Sequence, residues 1–438
     1  MSRRAGSARA GALAVAAKLG GAGLGILVNV ILARLMGAED FGRYALGIAL
    51  GTVIAVLGSG GMPFGAVRYV PDYLARGDFG ALRGFTRASL AVTLLGGAAC
   101  AVAMMLGAQM IDPGHVMAGV LPWAALIVLP AALAQSLSSL LQARGHVAGP
   151  EIVQSLVRQG ATLGLIMAWV GVGAALNFRV ALGVSAIAVA LACAMLAHRL
   201  AGLTRPEPRM PAAFDGFKLW MGAGAGILVI LVTAAFNERI DLFILGWMVT
   251  PADLGIYSAA VRVASISILA LAGLGAAYTP RIAAAWAKDD CIEVERLCRE
   301  GALAGTALML AMTLGAWLLG GFVLSLFGPE FRAGATVLTI LLGAQIAVGM
   351  MGIAGGLTII SGNNHIALTG VAVGLVVNAI TAITLVPSMG ISGAAIGVFA
   401  GFLVSHGVIG IWCSLRLGLR ATLLPIGPRA LSMGVRHV

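Results

Sequence analysis

Apolar runs of about twenty residues recur along this sequence, the length an α-helix needs to cross the hydrocarbon core of a bilayer. About twelve can be marked, with cores at 14–36, 43–66, 88–108, 117–141, 152–172, 178–198, 224–248, 254–277, 302–326, 335–360, 366–386 and 391–414. Backbone polar groups in lipid have no water to bond, so such runs must satisfy them within helices. The expected fold class is an all-α polytopic membrane protein. Composition agrees. Of 438 residues, 60% are hydrophobic and only 10% charged, whereas an ordinary soluble domain is about 25% charged. A soluble protein this apolar has too few polar groups to cover its surface. The 62 glycines suit closely packed membrane helices.

The net charge of +11 raises the question of nucleic acid. The arginines, however, lie between the apolar runs rather than along one stripe, and only 6% of residues are aromatic, so no nucleic-acid partner is expected. They read as topology signals. With the N-terminus inside, one set of loops gathers most of them, from Arg3 and Arg4 through Arg68, Arg83, Arg144 and Arg199 to Arg205, Arg209, Arg420, Arg429 and Arg436. The opposite set holds only Arg34, Arg43, Arg179, Arg262 and Arg332. By the positive-inside rule both termini are expected in the cytoplasm. Met1 to Ala10 is basic and leads into an apolar run longer than a signal-peptide core, so the first helix is expected to remain. Of the five cysteines, Cys291 and Cys298 match no zinc or redox spacing. No metal and no cofactor are expected.

An internal repeat organises the chain. Ala38 to Ala45 (AEDFGRYA) returns as Pro251 to Ser258 (PADLGIYS). Each copy reads Asp, large apolar, Gly, any residue, Tyr, at an offset of about 213 residues. A long span follows each, then Pro71 or Pro280, Asp78 or Asp290, and Arg87 or Arg299; later Arg144-Gly145-His146 faces Ser361-Gly362-Asn363. The expected architecture is two pseudo-symmetric six-helix lobes, residues 1–200 and 218–438, joined by a cytoplasmic linker at 201–217 containing Pro206, Pro208 and Pro211. Parallel repeats of this kind place a substrate path between the halves.

The segment Ile31 to Ala45 (ILARLMGAEDFGRYA) resembles the first-loop signature of the polysaccharide exporters. Asp253 to Ala260 (DLGIYSAA) and Met389 to Ile396 (MGISGAAI) resemble further signatures of the same proteins. These are the O-antigen and exopolysaccharide repeat-unit flippases of the multidrug/oligosaccharidyl-lipid/polysaccharide exporter superfamily. The resemblance covers nearly the whole chain. It implies a two-lobed, V-shaped bundle in the bacterial inner membrane. It further implies translocation of polyprenyl-pyrophosphate-linked oligosaccharide by rocking between inward- and outward-open states. Polysaccharide polymerase and glycosyltransferases are the partners expected beside the lipid-linked oligosaccharide itself.

A charge at membrane depth is costly and marks a candidate site. Moving Asn237 to Asp241 back by the repeat offset lands mid-span in the first helix, so this cluster is expected deep in the seventh. There Asn237 and Asp241, four apart, share a face of one helix. Arg239 is a candidate for pyrophosphate, and Glu238 and Asp241 for a coupling Na⁺ or H⁺; the alternative is a charge cluster satisfied between helices. Lys18, Gly21, Gly25 and Asn29 form a stripe on helix 1. Lys18 either contacts phosphate or snorkels, and the glycines either line the path or permit close packing. Glu151, Gln154, Arg158 and Thr162 form a stripe on helix 5, with Arg158 about two turns inside the span. Gln135, Ser138, Ser139 and Gln142 on helix 4, and Asn378 and Thr381 on helix 11, suit either sugars or interhelical bonds. Arg34 and Arg262, near outer helix ends, are candidates for the emerging headgroup or plain anchors. Arg68 to Arg87 reads as a surface helix against anionic membrane lipids.

No HExxH, GxSxG or nucleotide-binding loop occurs. A flippase for an anionic lipid-linked glycan fits the basic residues. A cation-coupled multidrug antiporter of the same superfamily fits Glu238 and Asp241 but not Lys18, Arg158 and Arg239. A membrane-embedded glycosyl- or acyltransferase would need acid/base residues gathered in a loop, and none are.

Overall fold

The computed structural model describes residues 2–204, 208, 210–351, 357, 358, 360, 361 and 363–416, with side-chain surroundings from residue 11 and excepting residue 364. Arg205, Pro206, Arg209, Gly362, Arg420, Arg429 and Arg436 lie outside them, as do the side chains of Arg3, Arg4 and Arg9. The described chain is helical almost throughout. Ten of its helices are long and apolar enough to cross a membrane.

The chain forms two compact units, one ending at Arg239 and the other beginning at Ile240. The first contains α1 (Ser2–Gly58), α2 (Met62–Arg76), α3 (Phe79–Gln109), α4 (Val116–Ala143), α5 (Ala148–Ile152), a π turn (Val153–Val157), α6 (Arg158–Gly171), α7 (Phe178–Thr204) and α8 (Phe217–Asn237). Helix α1 consists of two helices joined end to end at a kink, where Gly37 leaves helical geometry (φ 74, ψ 176). Its 57 residues would span about 85 Å, against a core of about 30 Å. The expected runs 14–36 and 43–66 both fall on it, except that the second stops at Gly58. A turn through Ser59–Gly61 then starts α2 as a separate helix.

Helix α4 is the hub of this unit, touching α1, α2, α3 and α7. Small residues let backbones approach: a Cβ built on Gly58 would sit 2.8 Å from the Gly97 Cα, and one on Gly51 3.0 Å from the Ala124 carbonyl. The face of α2 that carries Ala66, Tyr69 and Val70 is buried in a core with Phe85, Leu137, Leu196 and Trp220. So the expected surface helix over 68–87 is in fact α2, a Gly77 turn and the start of α3. Its arginines are divided between the exposed face of α2 and the first turns of α3.

Helix α8, expected in the second lobe, packs on α1, α2 and α3. Gly61, in the left-handed region (φ 73), lies against the Gly224 carbonyl so closely that a Cβ would collide with it. Trp220 donates its Nε1 hydrogen to the Tyr73 hydroxyl at 2.9 Å and meets Phe85 edge-on at 5.4 Å. The compact units therefore divide at Arg239–Ile240, whereas the prolines had suggested 201–217. The described part of that linker is held along α3, where Ala213 N donates to Gly80 O (3.0 Å) and Arg83 to Met210 O (3.0 Å).

The second unit contains α9 (Ile240–Met248), α10 (Pro251–Trp286), α11 (Cys291–Ser325), a 3₁₀ turn (Pro329–Gly334), α12 (Ala335–Met351), α13 (Asn364–Met389) and α14 (Ile391–Arg416). Helix α9 touches α10, α13 and α14; α11 lies on α10 and α12, and α12 on α14. The α13–α14 hairpin turns at Gly390 (φ 58) and is glycine-packed, with Gly374 against the Gly401 carbonyl and Gly393 against Leu385. On α11, Leu314, Trp317, Leu318 and Phe322 are exposed, a band suited to acyl chains.

The repeat is visible in the caps. Asp78 accepts from Ala81 N (2.9 Å) to start α3, and Asp290 from Glu293 N (3.0 Å) to start α11. The preceding residue has positive φ in both places, Gly77 at 69° and Asp289 at 54°. These matched aspartates satisfy orphan helix N–H groups. Their recurrence is structural rather than chemical.

Candidate functional site

Arg158 opens α6 immediately after the π turn. It lies ten residues beyond Ala148, about 15 Å along a helical stretch of about 36 Å at 1.5 Å per residue, and so near mid-membrane. It is half-buried. Its Nε donates to the Gln154 carbonyl at 2.9 Å, a bond that turns the guanidinium back along its own helix and leaves the Nη groups for another acceptor. Tyr44 is near enough to interact with it electrostatically. No carboxylate pairs with it among the described residues. The rest of the expected stripe serves the helix: Ser155 donates to Glu151 (2.6 Å), and Thr162, buried, to the Arg158 carbonyl (2.9 Å). A π turn inserts one extra residue, re-aims the side chains beyond it and is common at functional sites.

The stripe on α1 meets this same segment. A Cβ on Gly21 would sit 2.5 Å from Ser155 Cβ and 2.8 Å from its backbone, and one on Gly25 2.7 Å from Gln159 Nε2. The glycines thus serve close packing, the second of the two expected roles. Asn29, buried one turn further on, donates to Gly25 O at 2.6 Å, and its Oδ1 has no hydrogen-bond partner. Lys18 is exposed. Arg34 is exposed as well and Arg262 half-buried; both take part in interactions.

The Asn237–Asp241 cluster differs from expectation. Asn237 ends α8, Glu238 and Arg239 form a turn, and α9 restarts at Ile240. The one-face spacing of Asn237 and Asp241 requires an unbroken helix and does not apply. Glu238 N bonds Ala234 O, but Arg239 N bonds Phe236 O at 2.9 Å, the tightened last turn of a helix that stops. The break separates the two acids by environment. Glu238 is exposed and Arg239 half-buried. Asp241 is only 6% exposed and accepts a 2.6 Å hydrogen bond from the Tyr257 hydroxyl. Tyr257 is the repeat's own tyrosine, and this bond was invisible in the sequence.

Two of the remaining polar stripes are internal. Ser138 is buried and takes a 3.4 Å bond from Gln142. Asn378 is buried beside Gly397, with its Oδ1 unpartnered. Among the described residues, no group of three or more His, Cys, Asp or Glu converges as a metal site requires.

Comparison with known proteins follows from this architecture. A family model described as "Polysaccharide biosynthesis protein" matches residues 8–286, and one described as MatE matches 227–384. The "Probable low-salt glycan biosynthesis flippase Agl15" of Haloferax volcanii is 22% identical over 391 residues, 89% of this chain and 79% of that protein. Among solved structures, an inward-facing multidrug resistance MATE family transporter of the MOP superfamily matches with a TM-score of 0.74 at 14% identity, over 90% of this chain and 94% of that one. The lipid II flippase MurJ, in an inward closed conformation, matches at 0.73 and 12% identity, over 91% of this chain and 86% of its own. Fold and hydropathy together define a multi-pass membrane protein with the transporter fold shared by these structures. The chain belongs to the polysaccharide biosynthesis protein family, whose model spans well over half of it.

Proposed function

We propose that this protein is a flippase that carries polyprenyl-pyrophosphate-linked oligosaccharide repeat units across the bacterial inner membrane by alternating access, for surface polysaccharide synthesis. Arg158 carries the reading: a half-buried guanidinium near mid-membrane, steered by a backbone carbonyl and without a carboxylate partner among the described residues. Such a group awaits an anion, and a pyrophosphate offers charge-assisted bonds that strengthen at low dielectric. Family membership and the flippase relative support the glycan-lipid cargo. Twelve crossings follow if α1 counts as two about Gly37 and α5 to α6 as one. That even number and the arginine asymmetry support both termini lying in the cytoplasm. Arg239, Lys18, Asn29, Arg34 and Arg262 are proposed as further contacts along the route. Asp241 and, secondarily, Glu238 are proposed to take a coupling Na⁺ or H⁺. The protein acts as a transporter, not an enzyme, and works beside glycosyltransferases and a polymerase.

A second reading, a cation-coupled multidrug antiporter, is favoured by buried Asp241, which falls within the stretch matched by the MatE model. Deletion of the gene separates the two. Loss of surface polysaccharide with unchanged efflux of cationic dyes is the expected result; lost dye efflux with intact polysaccharide reverses the ranking.

A further inference from the structure

Away from the Arg158 segment, the first unit holds a cavity of about 490 Å³ at the membrane face where α3 begins and α4 and α7 end. Its rim carries three arginines, Arg83 and Arg87 from α3 and Arg144 from the end of α4, with the Thr86 hydroxyl between them. Its floor is apolar, formed by Leu90, Leu137 and Leu200. No carboxylate lines it among the described residues.

The rim is preorganised. Arg144 donates to the Thr86 hydroxyl (3.2 Å) and to the Leu140 carbonyl (3.3 Å), which fixes its guanidinium across the mouth. Arg83 is tied to the Met210 carbonyl (3.0 Å). Arg87 is exposed and makes no hydrogen bond or ion pair among the described residues. Arg83 and Arg144 take part in further interactions, while Arg87 adds a like charge at the mouth that attracts an anion. A free inorganic anion would use the rim and leave the floor idle. An amphiphile uses both.

We propose that this cavity binds the phosphate headgroup of an anionic phospholipid, with the arginines on the phosphate and the glycerol and first methylenes over Leu90, Leu137 and Leu200. A basic pocket between spans, on the arginine-rich face, has the chemistry that anionic lipid headgroups recognise. The lipid ties together α3, α4 and α7, the framework on which the first unit is built. The site is independent of cargo recognition at Arg158.

Native mass spectrometry of the full chain in detergent tests it with phosphatidylglycerol and phosphatidylcholine as probes. Wild type should retain phosphatidylglycerol preferentially. Arg87→Gln should weaken that binding about five-fold, and Arg87→Gln/Arg144→Gln about twenty-five-fold, at roughly 5-fold per cation; Arg87→Lys should keep most of it. Arg87 makes no hydrogen bond or ion pair among the described residues, so its single substitution remains decisive if the double variant fails to fold. Equal retention of phosphatidylcholine, or unchanged phosphatidylglycerol binding in Arg87→Gln, overturns the site. Displacement of the lipid by millimolar inorganic phosphate, or preference for a polyprenyl pyrophosphate over phosphatidylglycerol, overturns the phospholipid assignment.

Discussion

In the first copy of the repeated motif the chain enters through Gly37, whose positive φ of 74° sets a kink between the two helical halves of α1. In the second the equivalent position is Thr250, which ends one helix and caps the next by accepting from Asp253 N at 3.2 Å. The conserved-in-register aspartates diverge accordingly. Asp40 pairs with Arg43 at 3.3 Å, whereas Asp253 completes the cap by accepting from the Thr250 hydroxyl at 2.7 Å. The tyrosines diverge most. Tyr44 shares a 3.3 Å hydrogen bond with Ser185; Tyr257 donates at 2.6 Å to buried Asp241. One motif thus builds the same turn of scaffold twice, while the groups it supports have opposite character. The first unit carries the half-buried cation Arg158, near Tyr44, and the second the buried acid Asp241 on Tyr257. In two units built on one pattern, the asymmetry is where transport chemistry is to be sought.

Arg158→Ala should break the comparison hardest. Truncating one member of a buried, hydrogen-bonded charge pair costs about 2–5 kcal/mol, so transport of lipid-linked glycan should fall at least ~30-fold. Thermal unfolding of the purified protein should change little, because among the described residues the guanidinium holds no other helix by an ion pair. Arg158→Lys, which keeps charge but loses the planar fork, should fall between. A flipping assay in proteoliposomes that gave normal rates for both variants would remove the cation from the mechanism.

Tyr257→Phe should destabilise the second unit by about 1.5–3 kcal/mol, the worth of a hydrogen bond to a charged group. Asp241→Asn retains an acceptor for the hydroxyl and should cost less. The pair sharpens the question of drive: if Asp241 takes the coupling cation, Asp241→Asn abolishes dependence on the ion gradient while leaving the fold intact. Gradient-dependent transport by Asp241→Asn would be the contrary result.

What the sequence disclosed, and what it hid, divides along the same line. Apolar length showed where helices run, because that property needs no partner, and the described part of each marked core is mostly helical, the main interruptions being Ser59–Gly61 and Glu238–Arg239. The Asp78 and Asp290 caps were legible as a repeat, since capping is local. The packing of Gly21 and Gly25 on Ser155 and Gln159 was legible as one of two options, small residues being needed wherever backbones meet. Three features were hidden. The π turn at Val153–Val157 and the break at Glu238–Arg239 both interrupt a 3.6-residue rhythm that apolar residues continue through unchanged. The placement of α8 on α1 to α3 is a tertiary choice, set by Gly61 against Gly224 and Trp220 against Tyr73, and the proline-rich linker before α8 pointed the other way. The Tyr257–Asp241 bond depends on the break itself, since only a restarted helix puts that carboxyl where the tyrosine reaches it.

Thr250→Ala tests whether the second copy depends on its cap as the first depends on Gly37. Loss of a Thr cap costs about 1 kcal/mol, and thermal unfolding should register that loss. Thr250→Asn, another good cap, should restore most of it. If Thr250→Ala proves neutral, the Pro251 start and the packing of α10 suffice to end α9, and the sequence difference from Gly37 carries no energetic meaning.

The smallest effect is expected from Tyr44→Phe, and its smallness is informative. Both tyrosines belong to one motif and both are buried, so a packing role alone would make their phenylalanine variants equivalent. The partners differ. Ser185 already donates to the Ala181 carbonyl at 2.8 Å, so it keeps a partner when the Tyr44 hydroxyl is lost. A neutral side-chain bond between membrane helices is worth about 0.6 kcal/mol, and Tyr44→Phe should cost no more. Tyr257→Phe removes a hydrogen bond to a carboxyl group and should cost at least about twice that. Equal destabilisation of the two variants in the same unfolding assay would mean that Asp241 is satisfied without Tyr257, and the second copy would lose its claim to a specialised acid.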